Sequence, residues 1–291
     1  MAALFKNPEL TDYFLDAPEV ELGAAGTGLS VVEPYELGKV ISLPRLKLEL
    51  DLDFWGNLEA EEYAALRKLK LRGDDCLIDP KIRDSGPPTE LLDRLQSEIQ
   101  DIYRQIMPIY YALFSGYHFT RKIATCRLHT TLNRDLHFDT YQVDNPDHFA
   151  RLFINLDRQP RIWQTSYTVQ EIFELFGDRL PTSAYRDMPD NDLWSELRWR
   201  TFLSGPDERA WWDGLPRHVA YFQPGDVWLV DSRQVAHQIF YGRRALSIDF
   251  AVAVDSMGRP ERYYRNILAD FRKQKLQASM CAASTEGLPT T

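Results

Sequence analysis

Hydrophobic positions follow two periods along this chain, and the change comes at about Ile123. Before it, apolar residues recur every three or four positions, which places them on one face of a helix. Asn57 can cap a first helix over 57–72, with Leu58, Ala65, Leu66 and Leu69 on one side and Gly73 after it. Thr89 opens a second helix over 89–107, where Leu92, Leu95, Ile99, Ile102 and Ile106 form a stripe that Pro108 ends. Both stripes predict helices packed on a core.

Beyond Ile123 the pattern becomes β-rich, in short runs at 123–132, 151–156, 161–165, 217–222, 227–231, 235–240 and 245–254. One helix interrupts them at 168–176, signalled by Thr168 and Glu171 in capping-box spacing and closed by Gly177. A less regular insert, rich in Trp and Asp, covers 180–215. The turns Gln223-Pro-Gly-Asp226 and Tyr241-Gly242 predict that the last three strands form an antiparallel meander. A C-terminal helix over 260–277, carrying Tyr263, Ile267, Leu268 and Phe271, is expected to cover a sheet, with a flexible tail over 284–291. The pattern predicts a mainly β domain with flanking helices (α+β), as a barrel or sandwich, spanning 1–283.

Composition narrows the function. The 291 residues, 44% hydrophobic, suffice for one large decorated domain. A net charge of -9, with basic residues scattered, argues against nucleic-acid partners and anionic membranes. Cys76, Cys126 and Cys281 are far apart and form no metal or disulfide pattern, which fits a reducing cytoplasm. The start MAALFKNPEL has no signal-peptide character, and no apolar run reaches membrane-spanning length. The expectation is a soluble cytoplasmic protein acting on a small molecule. Oligomeric state is left open.

The candidate chemistry lies in His137-Phe-Asp139 and His237. Side chains two apart on an extended segment point to the same side, so one ion can take both His137 and Asp139. About one accidental H-x-[DE] is expected in a chain of this composition, so the context has to carry the reading. Here the pair follows a strand, and His237 sits on a strand that a double-stranded β-helix would bring opposite. Two histidines and one carboxylate leave half of an iron's coordination sphere open. His118, His129, His148 and His218 read as structural, with His129 the reserve ligand because its strand leads into the motif.

An α-keto acid that chelates iron leaves its distal carboxylate in need of a cation, a role suited to arginine. Arg243 and Arg244 follow His237. Strand parity puts Arg243, Ala245, Ser247 and Asp249 on one face and Arg244, Leu246, Ile248 and Phe250 on the other. Arg243 is therefore preferred over Arg244 as the anchor, with Ser247 as a hydroxyl partner. Asp249 could instead pair with Arg243.

The residues HFD (137–139), PGDVWLVD (224–231), His237 and RRALSIDF (243–250) resemble the iron(II)/2-oxoglutarate dioxygenase superfamily. RLFINLDRQPRIWQ (151–164), GKVISLPRL (38–46) and DLHFD (135–139) look like the Kdo hydroxylase family, which oxidises a sugar acid. The arrangement H-x-D, R-L-x-x-x-L, W-x-x-D and H is also similar to that of free-proline cis-hydroxylases. The resemblance implies a double-stranded β-helix (jelly roll), Fe(II), and 2-oxoglutarate and O2 as cosubstrates. It also implies hydroxylation of an unactivated C–H bond on an amino acid-like or sugar-acid metabolite, with release of succinate and CO2. Related halogenases leave room for chloride where Asp139 stands, which favours hydroxylation or a desaturation or cyclisation variant. Pocket candidates are Arg127, Tyr141, Gln142, Arg151 and Trp163, with Arg151 favoured for a substrate carboxylate because both families have Arg there.

Rival readings are a non-catalytic jelly-roll binding protein, a zinc hydrolase using the same three residues, and a Jmj-type protein hydroxylase. The first two leave an arginine beyond the distal histidine unexplained. The third usually anchors 2-oxoglutarate with Lys or Asn on other strands.

Overall fold

The computed structural model describes residues 3–18, 20, 31–73, 75–128, 130, 136–139, 147–190, 192–193 and 214–285. Its strands are β1 (Ala3–Phe5), β2 (Phe14–Asp16), β3 (Val40–Ser42), β4 (Lys68–Arg72), β5 (Leu77–Ile78) and β6 (Phe119–Arg127). They continue with β7 (His148–Asn155), β8 (Arg161–Thr168), β9 (His218–Phe222), β10 (Val227–Leu229), β11 (Val235–Tyr241) and β12 (Ala245–Val252). Two sheets result, one ordered β1-β9-β8-β11 and the other β2-β3-β10-β7-β12-β6-β4-β5.

From β6 on, the chain winds between the sheets. β6 lies in the large sheet, His137 bridges His237 of β11 in the small one, β7 returns to the large, and β8 and β9 lie in the small. β10, β11 and β12 then alternate large, small, large. This winding is the double-stranded β-helix, or jelly roll. It corrects the expected meander: β10 pairs with β3 and β7, β11 with β8, and β12 lies between β6 and β7. The turns carry the chain across the gap between sheets instead of folding it back. At Gly242 the crossing is so close that a Cβ would run into the Arg161 side chain, which would have to shift to admit it.

Period-two alternation divides the large sheet between two environments. Ala124 and Cys126 of β6, Leu152 and Ile154 of β7, and Leu246, Ile248 and Phe250 of β12 pack into the main core. There they meet the Thr89–Leu113 helix, whose Tyr110 ring lies 4.9 Å from Phe250 and whose hydroxyl donates to Ala150 O at 2.9 Å. The other face looks across at the small sheet. Between the sheets, Trp163, Phe222, Trp228, Val230, Val235 and Ile239 fill one part with an apolar plug, in which Phe222 and Trp228 stack at 3.9 Å. The rest of that gap is polar and open.

Three helix expectations need correction. Residues 57–72 are not a helix: Leu52–Asn57 is helical, two short 3-10 turns follow, and Lys68–Arg72 is β4. Leu66 and Leu69 satisfy a helical spacing, but Leu69 and Leu71 are buried in the core while Lys68, Lys70 and Arg72 lie exposed on the opposite face of the strand, and that alternation supplies a partner for the edge of β6. The second helix runs through Pro108 to Leu113. Its proline lies on the exposed side, where the carbonyl it frees can be hydrated, and Ile109, Tyr110 and Leu113 are buried beyond it. At the C-terminus a 3-10 turn (Pro260–Arg262) precedes a helix Tyr264–Thr285 that packs on the Val169–Phe176 and Thr182–Asp187 helices rather than on a sheet. The capping box is present, with Thr168 Oγ1 accepting from Glu171 N and Glu171 accepting from Thr168 N. Most of the insert, 194–213, lies outside the described residues, as does the tail after Thr285. No described helix is long and apolar enough to cross a membrane.

Candidate metal centre and its cavity

His137 and His237 face each other across a backbone bridge, with His137 N donating to His237 O at 2.9 Å and His237 N to His137 O at 2.8 Å. That pairing sets the two imidazoles side by side, ring centres 4.5 Å apart. Asp139, on the same side as His137, has its N–H tied to Ser232 O at 3.0 Å. One ligand atom from each of the three residues falls within 4.8 Å of the others. Asp139 Oδ1 is 3.7 Å from His137 Nε2 and 3.9 Å from His237 Nε2.

The surroundings fix the donor set. His237 is buried, its ring stacked on Trp163 of the adjacent strand at 5.1 Å. Its Nδ1 lies 3.2 Å from Val235 O; a carbonyl only accepts, so Nδ1 carries the proton and the Nε2 lone pair is left for a metal. Burial pulls His237 down to about 4, against the attraction of Asp139 and with repulsion from His137, so the imidazole is neutral at pH 7. Burial alone would raise Asp139. The Arg151 guanidinium, the two imidazoles and the Ser232 hydroxyl outweigh it and hold the carboxyl well below the usual range. Two imidazoles and an ionised carboxylate suit a divalent first-row metal such as Fe(II).

A cavity of about 310 Å3 opens from this cluster, within the size range of small-molecule sites. Its floor is the inner face of the large sheet, in three cross-strand rows: Asp249 beside Arg151; Thr125, Ser247 and Phe153; and Lys68, Arg127 and Ala245. Rows two residues apart are separated by about 6.8 Å along an antiparallel strand. The opposite wall is Arg161, Trp163, His237 and Ile239 of the small sheet.

Charge is distributed unevenly over these rows. At the metal end Arg151 is bonded to Asp139, Ser232 and Asp249. At the far end Lys68 and Arg127 stand directly opposite each other on paired strands, an arrangement of like charges that is unfavourable on its own. Burial, and then Arg127 and Lys70, lower Lys68. Arg161 on the other wall is 2% exposed, and its Nε and Nη1 have no hydrogen-bond partner among the described residues. Burial and the Arg127 charge pull it down to about 9, against the attraction of Asp157, which leaves it protonated at pH 7.

No protein-family model and no curated protein matches the chain. Among solved structures, the apo structure of the Kdo hydroxylase KdoO, a non-heme Fe(II) alphaketoglutarate dependent dioxygenase, superposes with a TM-score of 0.71 at 17% identity, covering 91% of this chain and 98% of that one. The fold is shared with that dioxygenase. The KdoO complex with succinate and Fe(III) gives 0.66 at 16% identity over 88% of this chain and 94% of its own. The complex with alphaketoglutarate and Fe(III) gives 0.64 at 16% over 86% and 94%.

Of the residues nominated from sequence, His137, Asp139 and His237 come together, and Arg127, Arg151, Trp163 and Ser247 line the same cavity. Tyr141, Gln142 and the reserve ligand His129 lie outside the described residues. The two proposed anchors are not where they were expected. Arg243 sits in the bend before β12, where strand parity no longer applies, and does not line the cavity. Arg244 is fully buried on the other side, donating to the carbonyls of Leu128 and Leu58. Asp249 pairs with Arg151, not Arg243. Arg161 and Lys68 were missed. Arg161 shares the parity of Trp163, which was nominated, so the same alternation would have found it; Lys68 was hidden by the helical reading of 57–72.

Proposed function

We propose that this chain is an Fe(II)- and 2-oxoglutarate-dependent oxygenase that hydroxylates a C–H bond of a small anionic metabolite. The observation that carries this reading is the pairing of a two-histidine, one-carboxylate cluster with a buried arginine, Arg161, whose Nε and Nη1 lack partners, in one cavity. His137, Asp139 and His237 would hold the metal, which supplies oxygen activation when bound. A buried guanidinium with unbonded N–H groups is costly, and the distal carboxylate of a keto acid chelated at the metal end would meet that need. Arg161 thereby takes the anchoring role expected of Arg243 or Arg244, and the attraction of Asp157 opposes the loss of its charge.

Substrate recognition falls to the remaining cations. Lys68 and Arg127 face each other at the far row of the floor, and an anionic group between them would relieve their repulsion. The fold likeness to a Kdo hydroxylase supports a sugar acid as the first class to test, ahead of amino acids. Trp163 and Phe153 give the cavity apolar sides that exclude water from the reacting carbon. A zinc hydrolase would use the same three ligands but gives Arg161 nothing to bind.

Anaerobic Fe(II) and 2-oxoglutarate should give a weak visible charge-transfer band, and aerobic turnover should release succinate, stimulated by the right acid. Folded protein that binds Fe(II) but shows neither the band nor succinate would sink the reading.

A further inference from the structure

Arg151 was expected to receive a substrate carboxylate, yet both of its faces are already taken. Its Nε donates to Asp249 Oδ1, its cross-strand partner on β12, and its Nη1 donates to Asp139 Oδ2 and to Ser232 Oγ. Its own backbone N–H is held by Tyr35 Oη at 2.8 Å. A guanidinium spanning two carboxylates has its charge neutralised and its fork occupied, so it has little left to offer a ligand.

Ser232 grips Asp139 at two points. Its carbonyl accepts the Asp139 N–H at 3.0 Å and its hydroxyl donates to Asp139 Oδ2 at 2.6 Å. The turn carrying Ser232 is itself fixed, since Asp231 Oδ1 accepts from Arg233 N at 3.0 Å and from Arg233 Nε at 3.2 Å. All the hydrogen bonds that Asp139's side chain receives from Arg151 and Ser232 therefore fall on Oδ2, while Oδ1 is the oxygen near both imidazole Nε2 atoms.

We infer that Arg151 is a positioning residue which, with Ser232 and Asp249, clamps Oδ2 of Asp139 so that this carboxylate offers a metal one oxygen only. The inference rests on the metal-centre reading of His137, Asp139 and His237. Its consequence is geometric. A carboxylate free to rotate can chelate through both oxygens and occupy a coordination position that a bidentate keto acid needs, whereas a clamped one keeps that position open. Arg151 and Asp249 form an ion pair whose charges cancel, so the site still presents the single negative charge of Asp139.

The test uses Co(II) alone as the probe, titrated into wild type, Arg151→Lys, Ser232→Ala and Asp249→Asn, with near-UV circular dichroism to establish that each is folded. Lysine cannot span two carboxylates, alanine removes the hydroxyl, and asparagine unbalances the pair without changing its size. Partners of this kind typically change metal affinity about 10- to 100-fold. The clamp predicts a loss of that order in the folded variants. It also predicts a d–d band, at saturating Co(II), that differs in position or intensity from wild type because Oδ2 has been released. A role confined to stability would leave the saturated spectrum unchanged. Wild-type affinity and spectrum in folded Ser232→Ala and Asp249→Asn would overturn the clamp even if Arg151→Lys failed to fold. Absence of any Co(II) signal in wild type would instead remove the metal-centre reading and the clamp with it.

Discussion

The two ends of the cavity treat their charged groups in opposite ways. At the metal end, Arg151, Asp139, Asp249 and Ser232 satisfy one another. At the far end, Arg161 is buried with Nε and Nη1 unbonded among the described residues, and Lys68 faces Arg127. Buried polar groups are ordinarily paired, and under the proposed function the first set holds a geometry while Arg161 binds a ligand. Stability and binding should therefore divide along the same line.

The largest effect is expected where the metal would be held. His237→Ala and His137→Ala should each abolish the Co(II) signal at concentrations that saturate wild type, and a retained signal in either would mean that the ion sits elsewhere. Next comes Arg151→Met, which strands two carboxylates that share one cation; breaking a buried pair in this way costs about 3–5 kcal/mol, read as a shift in urea midpoint. Arg161→Met, although that side chain is the more deeply buried of the two, should change the stability of the ligand-free protein far less, because no hydrogen bond from Nε or Nη1 is lost. What it should lose is cosubstrate binding. A charge-assisted hydrogen-bonded contact is worth about 1.5–3 kcal/mol, or roughly 10- to 150-fold in the 2-oxoglutarate requirement. Wild type should gain thermal stability with 2-oxoglutarate and metal present, and Arg161→Met should not. If the two arginines proved equally costly to remove, the contrast between the ends would collapse.

This contrast also explains which parts of the molecule could be read from the sequence. The cluster of His137, Asp139 and His237 was legible because its spacing reflects local geometry: two residues on an extended segment, and a histidine in the middle of a strand. The Thr168 and Glu171 capping box was equally local. The partners of a strand are not local. β10, β11 and β12 have turns that suit a meander, and only the closing of two sheets around a common gap sends them to alternate sides. The same distance effect hid β4, whose leucines meet both periods until the free edge of β6 selects one. Arg243 was misplaced because parity was extended two residues past the end of the strand, and Arg161 was passed over because an arginine beginning a strand looks like a surface residue until a wall is built around it.

A smaller effect is expected from Lys68, which lies at the exposed edge of the far row. Lys68→Ala should leave Co(II) and 2-oxoglutarate binding as in wild type and raise the KM for an acidic substrate by about fivefold or less, since an exposed charge contributes about 0.2–1 kcal/mol. An unchanged KM for every acid that stimulates succinate release would remove Lys68 from recognition.

The subtlest test reaches behind the metal end, to the charged groups around the turn that carries Ser232. His148 is buried with Nδ1 3.5 Å from Asp231 Oδ2 and Nε2 3.5 Å from the Tyr117 hydroxyl, which donates to Glu36 at 2.9 Å. Burial pulls His148 down to about 4, with Arg233 adding to the effect and Asp231 opposing it. An unfolded histidine titrates at about 6.5, so as pH falls the unfolded chain takes up this proton before the folded one does. Stability from the neutral imidazole is therefore complete above about pH 6.5 and declines towards pH 4. His237 shifts the same way, so wild type alone cannot isolate His148. The difference between wild type and His148→Gln can: urea midpoints measured from pH 7 to pH 4 should fall more steeply in wild type. Parallel curves would show that the buried imidazole takes no part in holding the Ser232 turn against acid.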